Sequence, residues 1–450
     1  MKTLRIAGAA LACGTMALLM AALPSPARAG QSMSELLVLA RQHDADYRAA
    51  AAARDAGLQA RVIGRAQLLP QASASYELGS SEIARDYLNG AAPLNYSASS
   101  RTLTWRITQP VFSLERWYSW REEDSRSVLA ELNFVLASSE LKLRLARAVF
   151  DMLLSQDNLE LARAQQTTLV SQRREAENLR QAGILTLTEV EDTRARELSA
   201  QAGALEAEYS VQMRRRELAR IVGVMPPDNP SPLPKWVLSL PVPNNLDHWL
   251  GRVRDANPKV VSAAMGSEIA RLAATRTRAA HLPVLDLIAS STRTQNPNNY
   301  TSVERSGGLS LRLTVPLFEG GRTSGLAQRA AALQVQAREE LESVRSEAEV
   351  KAAEAFLGMA NAIAKSRALE QALVAAQTSL QGATVGRQAG LRTHTDVLNA
   401  QQQVFAVQRD LNKERYNHAL AGLQLQALAG RLSDEAMAVL DQTTPSTGEN

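Results

Sequence analysis

Cysteine is nearly missing from this 450-residue chain. Cys13 is the single one. It falls in an N-terminal run that reads as a leader, so the mature chain can form neither disulfides nor thiolate metal sites. Long apolar runs are missing as well. After residue 29 none reaches the 18 or so residues that a membrane-crossing helix needs, so a mature chain that spans a membrane must do so with strands. An excess of one charge is also missing. Removing Lys2, Arg5 and Arg28 with the leader leaves 47 of the 50 basic residues against 46 acidic ones, and the high pI gives no argument for nucleic acid. Catalytic patterns are missing too. The five His residues (43, 248, 281, 394, 418) have no i, i+4 ligand spacing. The Ser-rich segments hold no nucleophile elbow, and no Gly-rich phosphate loop follows a strand. Gly307-Gly308 and Gly320-Gly321 read as strand-entry and turn glycines. These absences argue against catalysis, a metal site or a cofactor.

What is present begins with the leader. Lys2 and Arg5 give a positive start, Ile6 to Leu23 an apolar run, and Ala27-Arg28-Ala29 a small-x-small cleavage box before Gly30. Residues 1–29 are therefore read as a secretory signal. A lipoprotein reading of Cys13 is disfavoured, because the apolar run continues ten residues past it.

One stretch occurs twice. Ala182-Gly183-Ile184-Leu185-Thr186-Leu187-Thr188-Glu189-Val190 and Ala389-Gly390-Leu391-Arg392-Thr393-His394-Thr395-Asp396-Val397 each sit between long helical patterns. The Gly can end one helix in the left-handed conformation. The Thr three residues later can cap the next. Thr186 with Glu189 is a capping box and Thr393 with Asp396 its shorter analogue. Each copy is a tight helix-turn-helix tip.

The flanking pattern repeats with the tips. Residues 33–68 read as helix, and Leu69-Pro70 breaks it. From Gln71 the period becomes two: Ala72, Ala74, Tyr76 and Leu78 alternate with polar residues. A polar loop is expected over about 80–100, then Leu103, Trp105 and Ile107 alternate with Thr102, Thr104, Arg106 and Thr108. Both strands of this pair, within 71–109, are about nine or ten residues long, enough for a tilted bilayer crossing. Helix follows from Phe112 to about Gln181, roughly 100 Å at 1.5 Å per residue. It carries an apolar stripe of Leu132, Val135, Leu136, Leu141, Leu145, Val149, Leu153 and Leu154. The chain returns through the first tip to about Val222. A Pro-rich linker spans 223–246. Then the order restarts: helix to Ala280, Leu282-Pro283, a strand pair at about 284–315 around a polar loop at 294–306, a long helix to Ala389, the second tip, and a helix to about Gly430. Ile288 interrupts the alternation of the third strand. Residues 433–450 read as a polar, disordered tail.

The chain is thus mainly α with a small β part: two structural repeats, 30–222 and 247–432, each with one strand pair and one antiparallel helical hairpin. Four strands cannot close a membrane barrel, which needs at least eight, and an open edge in lipid leaves backbone groups unpaired. Strands must be pooled between subunits. Two chains would give eight and three would give twelve, and the pattern alone does not choose.

This arrangement resembles the TolC-type outer-membrane channel family over nearly the whole mature chain. The resemblance is carried by the duplicated strand pair and hairpin, the two Gly-x-x-Thr tips, Thr-Asp-Val-Leu-Asn with Ala-Gln-Gln-Gln at 395–403, and Glu414-Arg415-Tyr416-Asn417. It implies a homotrimer whose twelve strands form a barrel in the outer membrane, continued by a helical tunnel in the periplasm. It also implies a periplasmic adaptor and an inner-membrane transporter, of ABC type, as partners. Arg65-Ala66-Gln67-Leu68-Leu69-Pro70 and Arg101-Thr102-Leu103-Thr104-Trp105 resemble the type I secretion branch. Drug-efflux members share the same frame. A pore-less secreted coiled-coil scaffold is the reading from another class, and the alternating strand faces argue against it.

The resemblance implies site residues. Ala182, Gly183, Ile184 and Thr186, with Ala389, Gly390, Leu391 and Thr393, match the tips that meet the adaptor. Arg392 matches a position whose bonds hold the tip closed. Asp396 matches a gate acid, and it also suits a plain helix cap. Asn399 stands where a second gate acid is expected, and Arg387 where the family has an aromatic. Trp105, Trp117 and Trp120, with Phe112 and Tyr118, are expected near the inner end of a strand pair, either packed between helices or as an interfacial belt in outer-membrane lipid.

Overall fold

A computed structural model describes residues 32–85, 92, 94–226, 238–295 and 303–442. The predicted signal segment, residues 227–237 of the Pro-rich linker and the centres of both polar loops lie outside them. The chain opens with two helices, α1 (Met33–His43) and α2 (Ala45–Ala66), where one was expected. Asp44 is the reason. It ends α1 in an extended conformation, and its side chain accepts from the Tyr47 N–H to start α2. The second repeat breaks the same way: Asn257 separates α5 (Leu246–Ala256) from α6 (Pro258–Ala279) and caps α6. A short polar acceptor at each break satisfies the orphan N–H groups of the helix that follows.

Strand β1 (Gln71–Arg85) and strand β2 (Leu94–Phe112) are longer than the expected nine or ten residues. The ladder continues through the stretch read as loop, pairing Ser80 with Ser99 and Arg85 with Leu94. Composition pointed to a loop here, but backbone pairing does not require apolar side chains. Strand β3 (Val284–Gln295) and strand β4 (Glu304–Thr314) complete an antiparallel sheet in the order β1-β2-β3-β4. The register puts Tyr76 opposite Leu103, Ile107 opposite Ala289, and Ala289 opposite Leu309. One face therefore gathers Ala72, Ala74, Tyr76, Leu78, Leu103, Trp105, Ile107, Leu285, Leu287, Ala289, Leu309, Leu311 and Leu313. The other face is polar, with hydroxyl pairs Thr102–Thr294 and Thr104–Thr292, each at 3.3 Å. Ile288 lies on this polar face and is buried, which accounts for the broken alternation.

The long helices α3 (Leu114–Gln181) and α7 (Arg322–Gln388) are each flanked by two shorter ones laid end to end. α2 and α4 (Leu187–Val222) pack along α3; α6 and α8 (His394–Leu428) pack along α7. Gly64 permits the approach of α2, since a Cβ there would come within 2.7 Å of Glu123 Cβ. Of the expected stripe on α3, Leu141, Leu145, Val149 and Leu153 are buried, while Val135 is exposed. They join one apolar core with α1, α4 and α8. A second core, around Trp249, Val253, Phe356 and Met359, repeats the arrangement in the other half.

The tail expected to be disordered contains a helix, α9 (Asp434–Gln442). Met437 is fully buried in the first core. Asp434 pairs with Lys142 at 2.8 Å and Arg41 at 2.7 Å. Polar composition suggested disorder, but one buried Met and two ion pairs to distant helices hold the segment. Residues 443–450 lie outside the described chain. No described helix is long and apolar enough to cross a membrane.

Candidate functional site

Both tips form as the local residues dictate. Gly183 and Gly390 take φ of 74° and 73°, the left-handed region that glycine adopts without a Cβ clash. The residue after each turns its N–H back to the preceding helix: Ile184 to Leu179 O at 2.9 Å, Leu391 to Gly386 O at 2.8 Å. Thr186–Glu189 and Thr393–Asp396 are both complete capping boxes, so the shorter acid reaches as well. Ala182, Gly183, Ile184, Thr186, Ala389, Gly390, Leu391 and Thr393 are all exposed. Among the described residues, the two chain neighbours apart, nothing lies within 4 Å of a Cβ built on either glycine.

Around the second tip the structure gathers charged groups that lie far apart in sequence. Arg387, at the end of α7, donates to Glu175 on α3 at 2.7 Å. His394, the first residue of α8, is buried, with its Nδ1 3.4 Å from the Arg387 guanidinium. Burial, with Arg387 beside it, holds this imidazole below its ordinary range, against the opposing pull of Glu175, Glu189 and Asp192. Arg196 of α4 bonds Asp192 at 3.2 Å and donates to Asn399 of α8 at 3.0 Å. Gln172 bonds Gln401. The second hairpin is thus fastened to the first near the tips.

The sequence-expected gate residues divide. Asp396 caps its helix: bonds from Thr393, chiefly its backbone N–H, hold the carboxyl below the usual range, and Arg392 adds to this. Arg392 lays its stem over Gly386, where a Cβ would be 2.8 Å from its Cγ. Its exposed guanidinium forms no ion pair with a described residue. Asn399 faces the first hairpin, bonded to Arg196. Glu175, Arg196 and His394 were not singled out from sequence. One signal was available: Leu187 stands in the first tip where His394 stands in the second.

The expected aromatic cluster is only partly assembled. Trp117 and Trp120 stack edge to face at 4.8 Å in the first turns of α3. Trp105 does not join them. It stands seven residues before Phe112 on the apolar face of β2, 58% exposed, because strand geometry carries it about 3.4 Å further away per residue.

Comparison with known proteins adds three findings. The family described as outer membrane efflux protein matches residues 36–224 and 249–431, the two repeats. The chain is 30% identical over 404 residues to alkaline protease secretion protein AprF of Pseudomonas aeruginosa, covering 88% of this chain and 84% of that one. It is 30% identical over 408 residues to proteases secretion protein PrtF of Dickeya chrysanthemi, covering 89% and 88%. Among solved structures, the outer membrane protein VceC of Vibrio cholerae superposes with a TM-score of 0.77 at 21% identity, covering 88% of this chain and 96% of that one. At that identity the likeness speaks for the fold. The family match spans both repeats, each with its strand pair and its capped glycine tip, and the chain belongs to the outer membrane efflux protein family.

Proposed function

We propose that this chain is the outer-membrane conduit of a type I protein secretion system. It works as a homotrimer whose twelve strands close the barrel that four leave open. The observation that carries the secretory reading is similarity over nearly the whole chain to two proteins named for protease secretion. The apolar strand face meets lipid, and the polar face with its Thr ladders lines the lumen. The exposed tips dock a periplasmic adaptor, which links the conduit to an energised inner-membrane transporter. At rest, Arg392 bonds a neighbouring chain's hairpin, and its lack of an ion-pair partner among the described residues leaves it free to do so. Charge-assisted bonds of this kind are worth about 1.5–3 kcal/mol each when desolvated. Asp396, three per ring, favours cations at the mouth.

Small-molecule efflux is the second reading, favoured by the family's own description. Deletion of the gene separates the two. Loss of an exported protein from the medium with unchanged drug tolerance supports secretion; the reverse supports efflux. Native mass spectrometry in detergent is expected to give a trimer, and a stable conducting monomer would overturn the assembly.

A further inference from the structure

The apolar face of the sheet ends, toward the two hairpin loops, in arginine. Arg293 of β3 and Arg305 of β4 stand directly opposite each other. Arg101 of β2 lies opposite Gln295, one diagonal step from Arg293. All three are on the same face as Leu103 and Leu309, and all are exposed. None forms an ion pair with a described residue. The nearest carboxylates along these strands, Glu77 and Glu304, pair with Thr102 and Thr294 and so belong to the opposite, polar face.

Like charges directly opposite on a ladder repel. Two guanidinium groups in that arrangement, with a third beside them, call for a shared anion. The guanidinium fork matches phosphate oxygens two at a time. Position says what carries the phosphate. From Leu313, the last apolar-face residue of β4, to Arg305 is eight residues, about 27 Å along the strand, or roughly 21 Å of height at a 40° tilt. That is most of the apolar band of an outer-membrane barrel, about 25 Å. The helices leave from the foot of the sheet, so the arginines lie at the outer leaflet.

We propose that Arg101, Arg293 and Arg305 bind the phosphate of a phosphorylated glycolipid in the outer leaflet, whose acyl chains lie on the apolar face below. A free phosphate would meet the arginines and leave that face unused. The proposal rests on the outer-membrane location and not on the secretory reading, so either can fail alone.

The test is native mass spectrometry of the detergent-solubilised channel with added bis-phosphorylated lipid A, dephosphorylated lipid A, phosphatidylglycerol or inorganic phosphate. The channel is expected to retain the bis-phosphorylated form at least tenfold better than the dephosphorylated one or phosphatidylglycerol. The triple variant Arg101→Gln, Arg293→Gln, Arg305→Gln should lose that preference, and the triple Lys variant should keep most of it. In lipid-free detergent the Gln variant should melt no lower than the parent, because the repelling pair is gone. Added glycolipid should then raise the melting temperature of the parent only. If the triple variant does not assemble, Arg293→Gln alone is expected to cost several-fold in retention. Equal retention by parent and variant, or complete displacement by millimolar inorganic phosphate, would overturn the proposal.

Discussion

Leu187 and His394 hold the same place, the first helical residue after a capping Thr. Leu187 is 53% exposed and His394 3%. The turns that precede them have the same φ to within a degree, and both capping boxes are complete. The contrast therefore lies in what each tip rests on. The first stands clear of the other hairpin at this residue. The second is fastened to the first hairpin through Arg387–Glu175 and Asn399–Arg196, with His394 buried beside Arg387. A duplicated sequence thus gives two exposed tips of the same local geometry, while the intrachain clasp forms only at the second. If the tips gate the conduit as proposed above, this clasp is one of the contacts that opening would have to break.

The largest expected effect tests the equivalence. Gly183→Asp and Gly390→Asp each force a left-handed residue, at about 1–2 kcal/mol, and place a charge on an open surface. Both should abolish export while a heat-modifiable trimer still forms on gels. Loss at one glycine alone would show that the two surfaces do different jobs.

The next effects bear on the clasp and the lock. Arg392→Ser is expected to raise single-channel conductance in planar bilayers without the adaptor. Arg387→Ala should do so to a smaller degree, because its half-exposed pair with Glu175 is worth about 0.5–1 kcal/mol. The Arg387→Ala, Glu175→Ala double variant should add little to either single one. Unchanged conductance in Arg392→Ser would move the lock elsewhere. Arg173 is a poor alternative, since it already pairs with Glu177 and Glu197 inside its own hairpin.

Acidity should act on the second tip only. Burial keeps His394 neutral in the clasped form. An imidazole whose folded pKa is depressed contributes stability that is present above its free value, near 6.5, and is lost as pH falls below it. Protection from hydrogen exchange, taken relative to the intrinsic rate at each pH, should therefore fall in the first turns of α8 between about pH 7 and pH 5.5, while that of α4 does not change. In His394→Leu the dependence should vanish. Equal acid sensitivity in both tips would assign it to general acid unfolding instead.

The smallest effects concern the caps. Thr186→Ala and Thr393→Ala should each cost about 1 kcal/mol of local helix stability, read as faster exchange in the first turn. Asp396→Ala should fray the same turn and lower cation selectivity. Lost capping with unchanged selectivity would leave Asp396 a helix cap only.

Much of the fold was legible because it is written in short-range patterns. Period two marked the strands, Leu69-Pro70 and Leu282-Pro283 marked their starts, and Gly-x-x-Thr marked the tips. Asp44 and Asn257 were missed as helix breaks since each is one polar residue inside a helical composition. Ser80–Ser99 pairing was missed because a ladder of backbone bonds can run through polar residues. The clasp was missed for another reason: Arg387 and Glu175 are 212 residues apart in the chain, and no local spacing joins them.

By itself, the sequence determined where helices cap, where the chain turns left-handed and which strand faces are apolar, because each depends on neighbours a few residues away. Tertiary structure decided that His394 is buried and Leu187 is not, that Arg387 meets Glu175, and that Met437 anchors a terminal helix. These outcomes depend on which surfaces are pressed together, and desolvation and ion pairing are properties of that contact, not of the residues taken singly.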